Sequence, residues 1–364
     1  MQKIQAAVCR EFNAPLVIED ILIEDPGTGE VEVTLDAVAI CHSDISFAEG
    51  AWGGHLPAVY GHEAAGVITK LGDGVTGFAE GDPVVVTLIR PCGTCPSCAT
   101  GQPTICENPP DGRNGPIRTA DGGPLVQAMA CGAFAEKVVV STGQIVKLPE
   151  SMPRDVACLI ACGVITGVGA AVNAAGLRPG QDAVVIGAGG VGLNAIQGAK
   201  IAGARRIVAV DMTEEKLEIA EEFGATHGVL ATQPKPWRAA YKAFGGRGAD
   251  VVMVTVGAIP AYNDAPRYMG WGAKAIQIGM PHAGGMAEYE PMAMSFQGQS
   301  LIGSKMGDVV IQRDIPWMVD LYEQGRLKLD ELISGRWTFD QINEAIADTK
   351  TGGAKRNVIV FRDG

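Results

Sequence analysis

Cys41-His42-Ser43-Asp44 and, after a gap that contains Trp52, Gly61-His62-Glu63 put a thiol and an imidazole into one short stretch. Cysteine and histidine are the ligand types that zinc prefers, and two of them leave a site to be completed from elsewhere. The same residues also fit an interior, with Cys41 as a small apolar side chain and His62 as a hydrogen-bonded core histidine. A second cluster is denser. Cys92, Cys95, Cys98 and Cys106 follow C-x2-C-x2-C-x7-C, with Gly and Pro between them to turn several sulfurs inward. Four thiolates close a tetrahedral shell around zinc, and a closed shell is structural because no position remains for a substrate. An iron–sulfur cluster or a pair of disulfides competes for the same residues. The short, polar, loop-like segment favours zinc, because it would have little core without a metal.

A third group binds rather than reacts. Gly187-Ala-Gly189-Gly190-Val191-Gly192 closes the apolar strand Ala183-Val-Val-Ile186 and opens a helical run from Leu193 to Ala202. An acid, Asp211, ends the next strand, 24 residues after Gly187. That context marks a dinucleotide-binding turn. Gly187 makes the tight turn, Gly189 lets the backbone approach a pyrophosphate, and Gly192 lets helix pack on strand. The helix start offers free N–H groups and a positive dipole end to phosphates. Asp211 would accept hydrogen bonds from ribose hydroxyls and repel a 2′-phosphate. Met212, Thr213 and Glu214 follow it, with no Arg to receive such a phosphate, so NAD is expected over NADP.

The elements that must hold these groups differ along the chain. Residues 1–40 read as short strands, and Val31, Val33 and Leu35 alternate with Glu32, Thr34 and Asp36 as in a strand with one wet face. Further short strands and turns make the first third an irregular all-β unit. Residues 109–124 read as a surface loop, and residues 149–153 as a boundary. Asp155 through Ala175 is small and apolar, with Cys158, Cys162 and Gly163, and reads as buried helix. Beyond it, five strands alternate with helices, which predicts a parallel, doubly wound sheet. The chain has 364 residues, 47% of them hydrophobic, enough for two domains with a large core. A net charge of -12 argues against a nucleic-acid partner. No apolar run is long enough to span a bilayer, and Met1-Gln2-Lys3-Ile4 lacks the apolar core of a signal peptide. A cytoplasmic protein is therefore expected, in which nine cysteines point to metal or catalysis rather than to disulfides.

With these motifs in this order, the chain resembles the zinc-dependent alcohol dehydrogenases of the medium-chain dehydrogenase/reductase superfamily over nearly its whole length. The resemblance rests on Cys41–Asp44, Gly61–Glu63, the four-cysteine lobe, Ala161-Cys162-Gly163 and the Gly187–Gly192 turn. It implies a GroES-like catalytic domain over 1–155 and 305–364, with the lobe at 91–107, and a Rossmann domain over 156–304. It also supplies the missing ligand. Cys41, His62 and Cys162 would surround a catalytic zinc with one open position, in the cleft between the domains; alcohol dehydrogenase is a standard example of that ligand set. Cys9, Cys131 and Cys158 are read as core. In the mechanism that the resemblance implies, an alcohol oxygen takes the open position, Ser43 receives its proton, and hydride passes to the nicotinamide of NAD. Many members carry a histidine three residues beyond that serine; here the position is Ser46, so proton exit is expected to be independent of histidine.

Other positions carry over from the family. His42 and Arg356 would lie near the pyrophosphate, Lys216 at the adenosine ribose, and Thr166 with Gly190 and Val191 beside the cofactor. Glu63 matches an acid behind the zinc. Asp44 would orient His62, since zinc-bound imidazoles usually donate their second N–H to a carboxylate. Trp52 and Leu88 fall where the family lines its substrate channel, which favours an apolar alcohol or aldehyde. A homodimer is expected, with the apolar stretch around Leu301-Ile302 able to pair across a two-fold axis. Three other activities stay open at this point: a dehydrogenase that keeps NAD bound and uses an outside acceptor, a thiol-adduct formaldehyde dehydrogenase, and a non-catalytic relative on the same fold.

Overall fold

A computed structural model describes residues 1–361. It divides into two compact units, one of Met1–Cys162, Val310–Gly325 and Leu329–Gly364, the other of Gly163–Val309 and Arg326–Lys328. All-β pairing dominates the first. One sheet has five strands, with Gln2–Cys9 paired antiparallel to Val17–Ile23 at its centre. The other has seven strands, and Glu30–Ala39 pairs in it with Glu63–Leu71, Lys137–Ser141 and Arg356–Val360. Val31, Val33, Leu35, Ile68, Val138 and Phe134 fill the core between them.

Three expectations need correction here. The strand Glu30–Ala39 has no wet face over Glu32 and Thr34, which are 1% and 4% exposed, and Asp36 beyond them is half-buried. Burial alone would raise the Glu32 pKa, but Lys137 Nζ at 2.9 Å and Thr69 Oγ1 at 2.7 Å outweigh it and hold the pKa below the usual range. The alternation therefore marks a charge partner across the sheet, not water. The first third is also not all-β. Its helix His42–Ala48 carries half of the candidate site and is too short to show a helical period in the sequence. Finally, the buried helix read from Asp155 to Ala175 is broken. Helix Arg154–Ala157 runs into a 3-10 turn, Cys158–Ala161, and Cys162 leaves helical geometry at φ -145, ψ -69. Helix Gly163–Gly169 and a π-turn, Ala170–Ala174, follow in the second unit. Glycines 163, 167 and 169 weaken helix propensity at that point, and Gly167 is needed for packing, since a Cβ there would lie 2.4 Å from the Val191 carbonyl.

The second unit is a Rossmann-type α/β fold. Its sheet has six parallel strands in the order His227–Leu230, Arg206–Asp211, Asp182–Ile186, Ala249–Val254, Met269–Gln277 and Ser300–Gly303. Strand order reverses at Asp182–Ile186, and the glycine-rich turn leaves the carboxyl end of that strand. Such switch points are where open α/β sheets bind ligands. The sixth strand holds Leu301 and Ile302 at the sheet edge, and the sequence had shown it only as an apolar stretch. Among the described residues, no single helix is long and apolar enough to cross a membrane.

Candidate metal centre and dinucleotide turn

Asp44 draws two arms of the first unit together. It sits in the first turn of helix His42–Ala48, where a carboxylate meets the positive end of the helix dipole. Its Oδ2 accepts from the Cys41 N–H at 3.1 Å. Its Oδ1 accepts from the Gly61 N–H at 2.9 Å and lies 2.9 Å from His62 Nδ1. Gly61 must be glycine, because φ is +89 and a Cβ would lie 2.5 Å from the Phe134 nitrogen. One carboxylate, 1% exposed, thus sets the backbone on either side of the two donors and the orientation of the imidazole.

With Nδ1 engaged, the buried His62 Nε2 has no hydrogen-bond partner. It lies in a group with Cys41, Glu63 and Cys162 whose donor atoms are all within 4.8 Å of one another, and all four residues are buried. A tetrahedral ion with bonds of ~2.0–2.3 Å fits such a set. An orphaned imidazole nitrogen facing two thiols is what a bound cation would satisfy, so these residues fit zinc. Cys162 and His62 hold the Cys41 thiol well below its ordinary pKa despite burial, Cys41 in turn pushes Cys162 well above it, and Asp44 with Cys41 raises His62. Ligands must be deprotonated to bind a metal, so a cation here would compete with protons.

Glu63 and Arg356 close the back of this group. Both Glu63 oxygens are buried without a hydrogen bond, and Arg356 Nη1 stands 3.5 Å from Oε1. Burial raises the Glu63 pKa to about 8, against the pull of Arg356. Neither residue is a solvated surface charge; Arg356 is 5% exposed. The sequence reading put Glu63 behind the metal, and a Glu63 oxygen lies within 4.8 Å of the Cys41, His62 and Cys162 donor atoms.

Cys92, Cys95, Cys98 and Cys106 form the second group of donors within 4.8 Å of one another. All nine cysteines are free, which removes the disulfide reading. The Cys95 N–H donates to Cys92 Sγ at 3.3 Å, the Cys98 N–H to Cys95 Sγ at 3.4 Å, and the Cys92 N–H to Cys106 Sγ at 3.4 Å. Such bonds favour thiolates, and backbone N–H groups around Cys92 bring its pKa down to about 5. Glu107 ties the lobe by accepting from Ser97 N–H at 3.1 Å and Ser97 Oγ at 2.7 Å. Only Cys95 and Thr104 are buried within residues 91–107, so apolar packing cannot hold this segment.

In the second unit, each glycine of the turn meets a different demand. Gly187 has φ +99. A Cβ on Gly192 would lie 1.8 Å from the Gly187 carbonyl, and one on Gly189 would meet nothing within 4 Å. Gly190–Ile201 is the helix that follows, with no side-chain cap at Gly189, so its first N–H groups stay available. Asp211 accepts from the Ala188 N–H at 2.6 Å and from the Met212 N–H at 2.7 Å. It thereby holds the turn and keeps lone pairs for a ligand. No sequence motif pointed to Thr255, whose hydroxyl donates to the Ile186 and Gly187 carbonyls and braces the turn.

The remaining candidates lie outside the two groups of metal donors. His42 is exposed, and Ser43, Ser46, Trp52 and Leu88 are half-buried in the first unit. Thr166 is buried with its Oγ1 3.7 Å from Met306 Sδ, and Lys216 is half-exposed on helix Glu214–Phe223. Cys9, Cys131 and Cys158 are fully buried thiols with raised pKa values from burial, as expected of core. Phe47 and Tyr60 were not read as candidates. The structure stacks them at 6.1 Å between centroids and sets Trp52 edge-on to Phe47 at 5.0 Å.

Comparison with known proteins agrees with this geometry. Residues 27–150 match the alcohol dehydrogenase GroES-like domain, and residues 190–324 match the zinc-binding dehydrogenase domain. An NDMA-dependent alcohol dehydrogenase from Amycolatopsis methanolica is 35% identical over 98% of this chain and 99% of its own. An alcohol dehydrogenase zinc-binding domain protein from Burkholderia ambifaria superposes with a TM-score of 0.95 at 32% identity, covering 100% of both chains. The benzyl alcohol dehydrogenase of Acinetobacter calcoaceticus superposes with a TM-score of 0.93 at 30% identity, also over 100% of both.

Proposed function

The chain belongs to the zinc-dependent alcohol dehydrogenase family, and on that premise we propose which of its residues carry the interconversion of an alcohol with an aldehyde or ketone. The observation that carries the assignment is the unpartnered, buried His62 Nε2 between Cys41 and Cys162, with Asp44 on the other ring nitrogen. Cys41, His62 and Cys162 hold the catalytic zinc, and Cys92, Cys95, Cys98 and Cys106 hold a second, structural one. Zinc supplies a Lewis acid that brings the pKa of an alcohol toward neutrality. Ser43 receives the alcohol proton. Ser46 cannot act as a base at neutral pH, so water carries that proton onward. Asp44 fixes the His62 tautomer, and Glu63, balanced by Arg356, sets the charge behind the ligands.

The Gly187, Gly189, Gly190, Val191 and Gly192 turn holds the pyrophosphate of the dinucleotide, whose nicotinamide accepts hydride when bound. Asp211 accepts from the ribose hydroxyls, with Lys216 beside it. Asp211, Glu214 and Glu215 together oppose a 2′-phosphate, which favours NAD. Arg356 adds positive charge for the phosphates from a buried position, His42 offers them a polar group, and Thr166 borders the cofactor. Trp52 and Leu88 line the substrate channel, and an apolar primary alcohol fits them. A cytoplasmic homodimer joined through the edge strand Ser300–Gly303 is the assembly we favour.

The test is direct. Zinc-loaded protein given free NAD and benzyl alcohol should produce NADH without glutathione, and NADP should serve at least ~10-fold less well. Turnover only with an added electron acceptor, or only with glutathione, would replace this reading by a bound-NAD or a thiol-adduct enzyme.

A further inference from the structure

Two amides inside the second unit form a chain of hydrogen bonds that ends on the dinucleotide turn. Asn194 and Gln197 share one face of helix Gly190–Ile201 and are 0% and 3% exposed. The chain returns to the second unit at Arg326–Lys328, and Gln197 pairs with that segment as a strand would. Its Oε1 accepts from the Lys328 N–H at 2.7 Å, and its Nε2 donates to the Lys328 carbonyl at 3.0 Å. Nε2 also donates to Asn194 Oδ1 at 3.1 Å. Asn194 Nδ2 then donates to the Gly190 carbonyl at 2.8 Å, one helical turn back.

An apolar pair would fill this face without the cost of burying two amides. The amides do something that such a pair does not. The Gly190 carbonyl and the Val191 N–H belong to one planar trans peptide and point in opposite directions. A donor on the carbonyl therefore sets where that N–H aims. The Val191 N–H lies ahead of the first bond inside the helix, from the Leu193 N–H to the Gly189 carbonyl at 2.8 Å, among the groups a helix start offers to a phosphate. In a dry interior such a chain also polarises along its length, so each bond strengthens the next. Room for rotation is small. Helix Gly163–Gly169 packs so close that a Cβ on Gly167 would lie 2.6 Å from the Asn194 Cβ and 2.4 Å from the Val191 carbonyl. Lys328 is anchored in turn, with its Nζ donating to the Glu222 carbonyl at 3.0 Å.

We propose that Asn194 is a positioning residue for the dinucleotide: it aims the Val191 N–H at the pyrophosphate, and Gln197, clasped to the Lys328 backbone, holds Asn194 in that pose. This rests on the dinucleotide reading of the Gly187–Gly192 turn and deepens it. Both side chains are buried and act only through the backbone. Loss of either amide should weaken ligands that carry the pyrophosphate and spare one that lacks it.

The experiment titrates zinc-loaded, full-length enzyme with NAD, ADP-ribose and adenosine, with wild type beside Asn194→Leu, Gln197→Met and the double variant. Asn194→Leu should weaken NAD and ADP-ribose about tenfold and adenosine less than about twofold. In steady-state kinetics it should raise the KM for NAD and leave kcat at saturating NAD within about twofold of wild type. Gln197→Met should weaken NAD by about three- to tenfold alone and add nothing in the Asn194→Leu background. It should lower the Tm in both, because the Lys328 N–H and carbonyl lose their partners. An equal loss for adenosine, or additive losses of NAD affinity in the double variant, would make the amides merely structural and overturn the proposal. Unchanged NAD affinity in Asn194→Leu would overturn it too. If Asn194→Leu fails to fold, Gln197→Met decides alone: a loss confined to NAD and ADP-ribose supports the proposal, and no loss or an unselective one overturns it. Wild-type protein that binds neither NAD nor ADP-ribose strikes the dinucleotide reading itself, and the proposal falls with it.

Discussion

At the scale of single residues, the metal centre depends on Asp44 as well as on its ligands. Replacing a ligand removes one bond, whereas Asp44 places two arms and a ring. Its Oδ1 serves the Gly61 N–H and His62 Nδ1, and its Oδ2 serves the Cys41 N–H. In Asp44→Asn only one oxygen remains, so an amide NH2 must face a buried N–H, a donor against a donor. Zinc affinity at the Cys41 site should fall about 10- to 100-fold, the usual range for a lost partner behind a ligand. Chelator competition reads this directly, with the four-cysteine lobe as internal control because Asp44 does not touch it. Ser46→Ala should do the opposite of what a lost base does. Turnover should stay within about twofold of wild type, and a loss of ~100-fold would show that Ser46 is on the proton route. Residue chemistry was legible to this depth because ligand type and the carboxylate–imidazole pairing are local rules. The pairing of Glu63 with Arg356 was not, because Arg356 arrives from the last strand of the chain.

Elements show the same division between local and tertiary causes. The dinucleotide turn was readable because strand, glycines, helix and acid occur in one continuous run. The glycines can now be separated by what they prevent. Gly192→Ala puts a Cβ 1.8 Å from the Gly187 carbonyl, so helix and strand must part. Gly189→Ala meets nothing within the protein. Thermal unfolding and NAD titration should split the pair. Gly189→Ala should keep its Tm within a degree or two and lose at least ~10-fold in NAD affinity, because a methyl group occupies the space a phosphate needs. Gly192→Ala should lose stability by ~1–3 kcal/mol, as overpacking does. A Gly189→Ala variant with normal NAD affinity would remove that glycine from the site. What stayed illegible at this scale has tertiary causes. Glu32 looked solvated and is held by Lys137 and Thr69 from neighbouring strands. The run Asp155–Ala175 looked continuous and breaks at Cys162, where its second sulfur joins the donor cluster. Helix His42–Ala48, at seven residues, was too short for its period to show.

For the whole molecule, the question is how a chain with a large apolar core comes to need a metal for shape. The fold class was legible because both units follow patterns that repeat over many residues: short strands with turns in one, strands alternating with helices in the other. The lobe of residues 91–107 follows neither. It buries only Cys95 and Thr104, and its short backbone turns are tied by N–H···S bonds and by Ser97 to Glu107. Those bonds are weak without charge on sulfur, and four thiolates this close repel unless a cation sits among them. Zinc there should therefore stabilise the segment and little else. Two zincs per chain are expected by metal analysis. Cys98→Ser should leave one, and limited proteolysis should then cut within residues 91–107 while the rest of the chain survives. Cys162→Ser should also leave one, but with the lobe intact, because its sulfur belongs to the buried cluster with Cys41 and His62. The two variants thus have the same zinc count and opposite defects: the first loses lobe order, the second loses alcohol oxidation at unchanged protease resistance. If Cys98→Ser gave a protease-resistant lobe, the segment would owe its shape to something other than zinc; if Cys162→Ser kept full activity, the buried cluster would not be the catalytic one.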